Sequence, residues 1–352
     1  MDAVVRARAV NSAFLLAIIA WCVARPEASA QTPETTLSHV RSAGALRCGI
    51  DQEEAEYSTS DDHGNREAFD ADLCRAVAVA VMGEDAKVLS KHYPDDRAAM
   101  HGLAGGEVEM VATLPDDFTH SVGTNLTLTR PILWDGVGFL APERSTVTRA
   151  RQLSGKKICF LAETNVEESV RAWFASEHLQ FVPFPFQEEG EMQAAFATGN
   201  CGALAGDRTR LVQTRAALAG RGRQVRLLPE TISEDPLAAA VRGDNPQWAA
   251  VVQWVMESLI EAEESGVTRA NVKAKLAHAD NDPVLRFLLG GSHQIGALLG
   301  LDDQWAVRAI EATGNYGEIY QRDLGSGSAT KLPRGENNLR IHGGAMEALA
   351  FK

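Results

Sequence analysis

KKICFLAETNVEESVRAWFASEHLQFVPF, residues 156–184, decides the fold class. KKICFL (156–161) is a short apolar run of strand character, NVEESVRAWFASEH (165–178) is amphipathic, and LQFVPF (179–184) is a second strand-like run. A strand, a helix and a strand in that order form a right-handed crossover unit, the element of parallel sheets covered by helices. The pattern continues outward through EGEMQAAFATG (189–199, helix), CGALAG (201–206, strand), DRTRLVQTRAALAG (207–220, helix) and QVRLLP (224–229, strand). An earlier unit of the same build runs through ALRCGI (45–50), FDADLCRAVAVAVMG (69–83), AKVLSKHY (86–93), a helix from Pro94 to about Ala104, and EVEMVAT (107–113). In it, Asp70 or Asp72 opens the first helix and Gly83 closes it, while Pro94 with Asp95 and Asp96 suits the first turn of the second.

The two units read as separate α/β lobes. DGVGFLAPE (135–143) and EDPLAAAVRGDN (234–245) are extended segments that carry the chain from one lobe to the other, and two such crossings imply a hinge. Beyond Gln247, QWAAVVQWVMESLIEAEESG (247–266) and DDQWAVRAIEATG (302–314) repeat apolar residues at helical spacing. The tail after Leu324 has Gly325, Ser326, Gly327, Ser328 and Pro333, and reads as a loop or an extended arm. The expected division is residues 1–30 as a signal peptide, 31–140 as the first part of lobe 1, 141–236 as lobe 2, 237–262 as the return to lobe 1, and 263–352 as a C-terminal helical extension.

At the amino terminus Arg6 and Arg8 precede the apolar run Ala13 to Val23, and Ala28-Ser29-Ala30 provides small residues for cleavage. The run is too short to span a bilayer, which takes about 20 residues. Trp21 ahead of Cys22 is too large for lipoprotein processing. The mature chain is therefore expected to begin near Gln31, in the periplasm. Removing residues 1–30 takes three arginines and two acids from totals of 34 basic and 47 acidic residues, so the net charge goes from −13 to −14. So acidic a surface disfavours nucleic acid and anionic lipid. The rest is long enough for two domains, each with its own core.

Cys48, Cys74, Cys159 and Cys201 then remain, and four cysteines allow three pairings. Cys48 with Cys74 and Cys159 with Cys201 would each staple one compact stretch, for about 3 to 4 kcal/mol apiece in an oxidising compartment. Zinc is the competing use, but the sequence has no CxxC pair and no histidine cluster near these residues.

LRCGI (46–50), GGEVEMVAT (105–113), TRPILWDGVGFLA (129–141), GKKICFLAET (155–164), GNCGALAGD (199–207) and LGLDDQWAVRAIEATGNYGEIYQRDLG (299–325) fall in the order seen in the periplasmic general L-amino-acid-binding proteins of ABC transporters. The chain resembles that family, solute-binding family 3, over nearly all of its mature length. The resemblance implies an α/β fold of type II: two lobes, each a mixed, mainly parallel sheet flanked by helices, hinged by two crossover segments and clamping a ligand between them. It also implies a small amino-acid or amine ligand, a membrane permease as partner, no cofactor, no metal, no catalysis and a monomer.

An amino acid closed between lobes needs partners for its carboxylate and its ammonium. The family places an aspartate of the second lobe against the ammonium, and Asp207 matches it; its other reading is a helix N-cap. The family's carboxylate clamp has no counterpart here. Where hydroxyl residues and an arginine follow the strand, this chain has VATLPDDFTH (111–120), with Pro115, Asp116, Asp117 and His120, and no arginine before Arg130. A neutral histidine donates one hydrogen bond where guanidinium offers a charged fork. In the second lobe Glu163 and Thr164 stand where the family has glycine and threonine ahead of a helix. Thr164 is a candidate anion ligand, and Glu163 is a candidate to occupy the helix amides itself. Asp51, with Glu53 and Glu54, extends an acidic rim; Tyr57 and Phe69 are candidate aromatic walls, and Arg97, near His92 and Tyr93, is a candidate substitute cation. Such a pocket favours cationic or amine-bearing solutes.

Two rivals share the frame. One is a cyclohexadienyl dehydratase, with Glu163 or His120 as general acid or base; the other is a paralogue that has lost ligand binding and acts as a sensor or interaction module. Nothing in the sequence has the form of a P-loop, dinucleotide fingerprint, nucleophile motif or metal-ligand spacing.

Overall fold

The computed structural model describes residues 35–51, 59–60, 66–291 and 295–351. In chain order its strands are β1 (Ala45–Asp51), β2 (Thr59–Ser60), β3 (Arg66–Glu67), β4 (Lys87–Tyr93), β5 (Met110–Pro115), β6 (Leu126–Asp135), β7 (Val137–Pro142), β8 (Lys157–Leu161), β9 (Val182–Phe186), β10 (Ala203–Asp207), β11 (Val225–Leu227) and β12 (Asp235–Arg242). They form a sheet of order β4-β1-β5-β12-β6, a second of order β11-β7-β10-β8-β9, and a ribbon of β2 and β3. In the first sheet β1 runs parallel to β4 and β5, and β12 runs antiparallel to β5 and β6. In the second, β8 runs parallel to β9 and β10, with β7 antiparallel to β10 and β11. This is the two-lobed, mixed-sheet α/β fold expected.

The second sheet shows why the central runs are apolar without interruption. Alternate residues of a strand face opposite sides of the sheet. Phe139, Ile158, Phe160, Ala203 and Ala205 accordingly sit in one core with Val166, Val170 and Phe174 of the helix Asn165–Ser176. Their neighbours Leu140, Cys159 and Leu204 sit in the other, with Met192, Phe196, Leu211 and Leu218. Burying each large side chain stabilises the lobe by about 1.5–3 kcal/mol.

The strand expected at 179–184 begins later, at Val182. The helix before it ends with His178 in the left-handed region, φ 56°, and the Leu179 amide donates to the Phe174 carbonyl at 2.9 Å, so the first residues of that stretch belong to the helix terminus. Pro183 and Pro185 are tolerated because β9 is an edge strand.

In the first lobe the helix Phe69–Met82 is capped by Ala68, so Asp70 and Asp72 stand inside the first turn and not at the cap. Both are buried; Asp70 accepts from the Thr113 hydroxyl at 2.9 Å, and Asp72 pairs with Arg322 of the C-terminal extension. The helix Pro246–Glu264, capped by Asn245, places Trp248 in the core with its indole N–H on the Glu109 carbonyl at 2.9 Å. The helices Trp305–Thr313 and Tyr316–Asp323 add buried residues to the same core.

The tail is more than a loose arm. Leu332, Leu339, Met346 and Phe351 are buried in the first lobe's core, with Phe351 edge-on to Trp254 at 5.2 Å. Asn337 accepts from the Trp134 amide at 2.7 Å and donates to its carbonyl at 2.8 Å, gripping β6 next to the crossing. Arg215, on the helix Arg208–Gly220 of the second lobe, donates to the Thr330 carbonyl, so the tail touches both lobes.

Each disulfide lies within one lobe: Cys48 with Cys74 and Cys159 with Cys201, at Cα separations of 6.2 and 5.8 Å. Among the described residues no helix is long and apolar enough to cross a membrane.

Candidate functional site

The chain passes from the first sheet to the second at Gly136, between β6 and β7, and returns through residues 228–234 into β12. Gly136 is required by closeness: a Cβ there would lie 2.3 Å from the Ser233 carbonyl oxygen of the returning segment. The two crossings are stitched further by the Val137 amide, which donates to Ser233 Oγ at 2.8 Å, while that hydroxyl donates to Asp235 at 2.7 Å.

Beside the crossings a cleft of about 680 Å³ opens at the carboxyl ends of the strands of both sheets. Open α/β sheets bind ligands there because the strand-to-helix turns converge on that edge. The first lobe contributes Tyr93, Asp95 and Asp96 after β4, and Thr113, Pro115, Asp116, Asp117, Thr119 and His120 at the end of β5. The second contributes Asn165, Asp207, Thr209 and Arg210, and the crossings contribute Asp135, Glu234, Asp235, Pro236 and Leu237. Asp95, Asp96, Asp116, Asp117, Asp135, Asp207, Glu234 and Asp235 thus face one arginine and one histidine among the described lining residues.

VATLPDDFTH folds as the end of β5 followed by one helical turn, Phe118–Ser121, capped by Asp117. One Asp117 oxygen accepts from the His120 amide at 2.9 Å and the Thr119 hydroxyl at 2.8 Å, and lies 2.8 Å from His120 Nδ1. Burial pushes the Asp117 carboxyl up, but these hydrogen bonds outweigh it and hold the group below the usual carboxylate range. His120 is therefore committed to its neighbour, which makes it a poor stand-in for a carboxylate-binding arginine. Asp116 is raised, first by burial and then by the charge of Asp117.

Asp207 ends β10 and takes the N-cap position of the helix Arg208–Gly220, yet its side chain makes no capping hydrogen bond. Its carboxyl is pushed up to about 7 by burial, then by the charge of Asp135; Arg210 opposes the shift, and Asp235 and Asp96 add to it. Asp135 is raised as well, chiefly by burial.

The other expected site residues divide. Phe69 is no wall of the cleft: it is buried, edge-on to Tyr316 at 6.3 Å and Tyr320 at 6.4 Å, in the core between helices. Arg97 is exposed and absent from the lining, because successive helix residues point about 100° apart and it is Asp96 and Ala99 that face the cleft. Glu163 is exposed at φ 59°, outside the lining, and Glu167 reaches back to bond its amide at 3.0 Å. Thr164 holds the N-cap position, but its hydroxyl donates to the Leu161 carbonyl at 2.9 Å, leaving Asn165 to face the cleft. Asp51 closes β1, its side chain lying outside the description, and Tyr57, with Glu53 and Glu54, lies outside the described residues. Arg130 turns away from the cleft to Glu257, at 3.4 Å, and to the Glu347 carbonyl, at 3.1 Å.

Sequence reasoning missed Thr113, Asp135, Thr209, Arg210 and Asp235. Only the position of Thr209 and Arg210, just past Asp207 in DRTR, offered a local hint. Arg210 Nη1 stands 3.8 Å from Glu189 and is the one arginine of the described lining. No group of three or more metal-ligating side chains occurs among the described residues.

Two hinged α/β lobes with a polar cleft at their strand ends define a solute-binding protein that works by closing on its ligand. No family model matches the chain. Among known proteins it is 33% identical over 315 residues, 89% of this chain and 91% of the other, to the putative amino-acid ABC transporter-binding protein YhdW of Escherichia coli (strain K12). It is 36% identical over 322 residues, 89% and 92% of the two chains, to the general L-amino acid-binding periplasmic protein AapJ of Rhizobium johnstonii. A solved ABC transporter periplasmic binding protein from Brucella ovis, with glutathione bound, matches at 34% identity and a TM-score of 0.79, over 90% of this chain and 99% of that one. The chain belongs to the periplasmic amino-acid ABC transporter-binding proteins. These are binding proteins and not enzymes, which removes the dehydratase alternative.

Proposed function

We propose that the chain captures a small solute bearing a cationic amine, an amino acid of cationic character in the first instance, and presents it to a membrane permease. The observation that carries this reading is the charge of the cleft, with eight carboxyl groups against Arg210 and His120 among its described lining. Such a lining attracts cations and repels anions. In this reading Asp207 meets an ammonium group from the second lobe, and Arg210 offers donors to a carboxylate. Glutathione, the molecule held by the Brucella ovis protein, is a net anion and fits this charge poorly. Ligand bridging the lobes makes its contacts only when they are closed, and so shifts the hinge towards closure. An export segment over residues 1–30 would bring the chain to the periplasm, where it acts as a monomer.

Calorimetry at pH 8 against L-lysine, L-arginine, putrescine, glycine betaine, L-glutamine, L-glutamate and glutathione tests the proposal. Cationic solutes are expected to bind and L-glutamate and glutathione to fail. Tighter binding of L-glutamate or glutathione than of L-lysine would overturn the reading, and no heat with any solute would favour the interaction module.

A further inference from the structure

The start of the helix Arg208–Gly220 is capped from the wrong side of the hinge. A helix leaves its first amides without intrahelical partners, and the aspartate at the N-cap position ordinarily takes them with its own carboxylate. Asp207 has the extended backbone of a capping residue, φ −62° and ψ 138°, but makes no side-chain cap bond. Two of these amides instead reach Asp135, the last residue of β6 in the first lobe. Its Oδ1 accepts from the Arg208 amide at 3.1 Å, an amide it shares with the Gly136 carbonyl at 3.0 Å, and its Oδ2 accepts from the Thr209 amide at 3.3 Å and from the Thr209 hydroxyl.

We propose that Asp135 is a positioning residue of the binding site: by capping the second lobe's helix from the first lobe, it frees Asp207 from that duty and leaves the Asp207 carboxylate to the cleft. This rests on the reading of Asp207 as the group that receives the ligand's amine. It adds that the site depends on a second acid which need not touch the ligand at all. The Thr209 amide is one of the two partners an aspartate at the cap can take, and it is already occupied. Without Asp135 the amides at the helix start would draw in the nearest carboxylate, which is Asp207 itself. The arrangement also links the cap to the hinge, since Asp135 adjoins Gly136, where the chain changes sheets.

The test separates charge from capping by comparing Asp135→Asn, which loses the charge but keeps an acceptor oxygen, with Asp135→Ala, which loses both. Carbon-13 NMR titration of the Asp207 carboxyl in ligand-free protein, assigned with Asp207→Asn, is the primary readout. In the wild type the midpoint is expected near 7. In Asp135→Asn it should fall in part, and in Asp135→Ala it should fall further, below the ordinary carboxylate range, because a capping carboxylate is held ionised by the helix amides. Equal midpoints in the two variants overturn the proposal. Should Asp135→Ala fail to fold, Thr209→Val loosens the same cap without changing any charge; a fall in the Asp207 midpoint supports the proposal and an unmoved one overturns it. Calorimetry with L-lysine at pH 8 gives a second readout: both variants lose one charge of the cleft, and Asp135→Ala should weaken binding at least about threefold more than Asp135→Asn does. Equal losses would make Asp135 a direct ligand contact and overturn the positioning role. If no variant, wild type included, binds L-lysine, the cationic-solute reading fails and the titration still decides the cap.

Discussion

Replacing Asp207 by asparagine removes one ionisable proton and little else, so its effect on folding isolates the strain of holding that acid in the cleft. The folded protein keeps the Asp207 carboxyl protonated up to about 7, against 3.8 for an ordinary aspartate. Between those pH values the folded state binds the proton and the unfolded state does not, so stability falls as pH rises through that window and is level above it. Three pH units at 1.36 kcal/mol each set a ceiling of about 4 kcal/mol. Asp207 is only half-buried and faces an open cleft, where water screens the charge, so about 1–2 kcal/mol is the expected share. Asparagine has no charge to bury. Asp207→Asn should therefore unfold at nearly the wild-type temperature at pH 4, and a few degrees higher at pH 8. It should also lose binding of cationic solutes. Differential scanning calorimetry across pH 4–8 measures the first effect. A difference between the two proteins that does not grow with pH, or a variant less stable than wild type at pH 8, would refute the reasoning.

Gly136→Ala puts a methyl group 2.3 Å from the Ser233 carbonyl, so one crossing must move away from the other. Overpacking of this kind costs about 1–3 kcal/mol, read as a lowered denaturation midpoint, and small-angle scattering should register a changed angle between the lobes. Breaking the disulfides by paired serine substitution should cost about 3.5 kcal/mol for Cys48 with Cys74 and about 3.9 kcal/mol for Cys159 with Cys201, from loops of 26 and 42 residues. The two losses, measured by urea unfolding, should add because the bridges lie in separate lobes.

Much was legible in the sequence because it is written locally. A helix repeats every 3.6 residues and a short unbroken apolar run suits a strand buried on both faces, so runs such as NVEESVRAWFASEH and KKICFL declare themselves without reference to anything distant. The disulfide pairing followed from nearness along the chain, and the missing arginine after β5 was visible as an absence at a known place. Asp207 reached the cleft at the end of a strand, and Asp116, Asp117 and His120 in the turn that follows one, where such folds assemble their sites.

Only the tertiary structure decided the rest. Asp96 faces the cleft and Arg97 faces water, a difference of one helix step that composition cannot encode. Phe69 went to the core because the C-terminal extension supplies Tyr316 and Tyr320 to cover it. Asp135 and Thr209 lie far apart in the chain, and no local pattern announces that one carboxylate will cap the other's helix across a hinge. The amino-acid sequence by itself determined the elements and the two stapled lobes, since these depend on short-range periodicity and chain proximity. Which side chains share the cleft, and which acid among them is left uncapped, depended on strand ends brought together from distant parts of the chain.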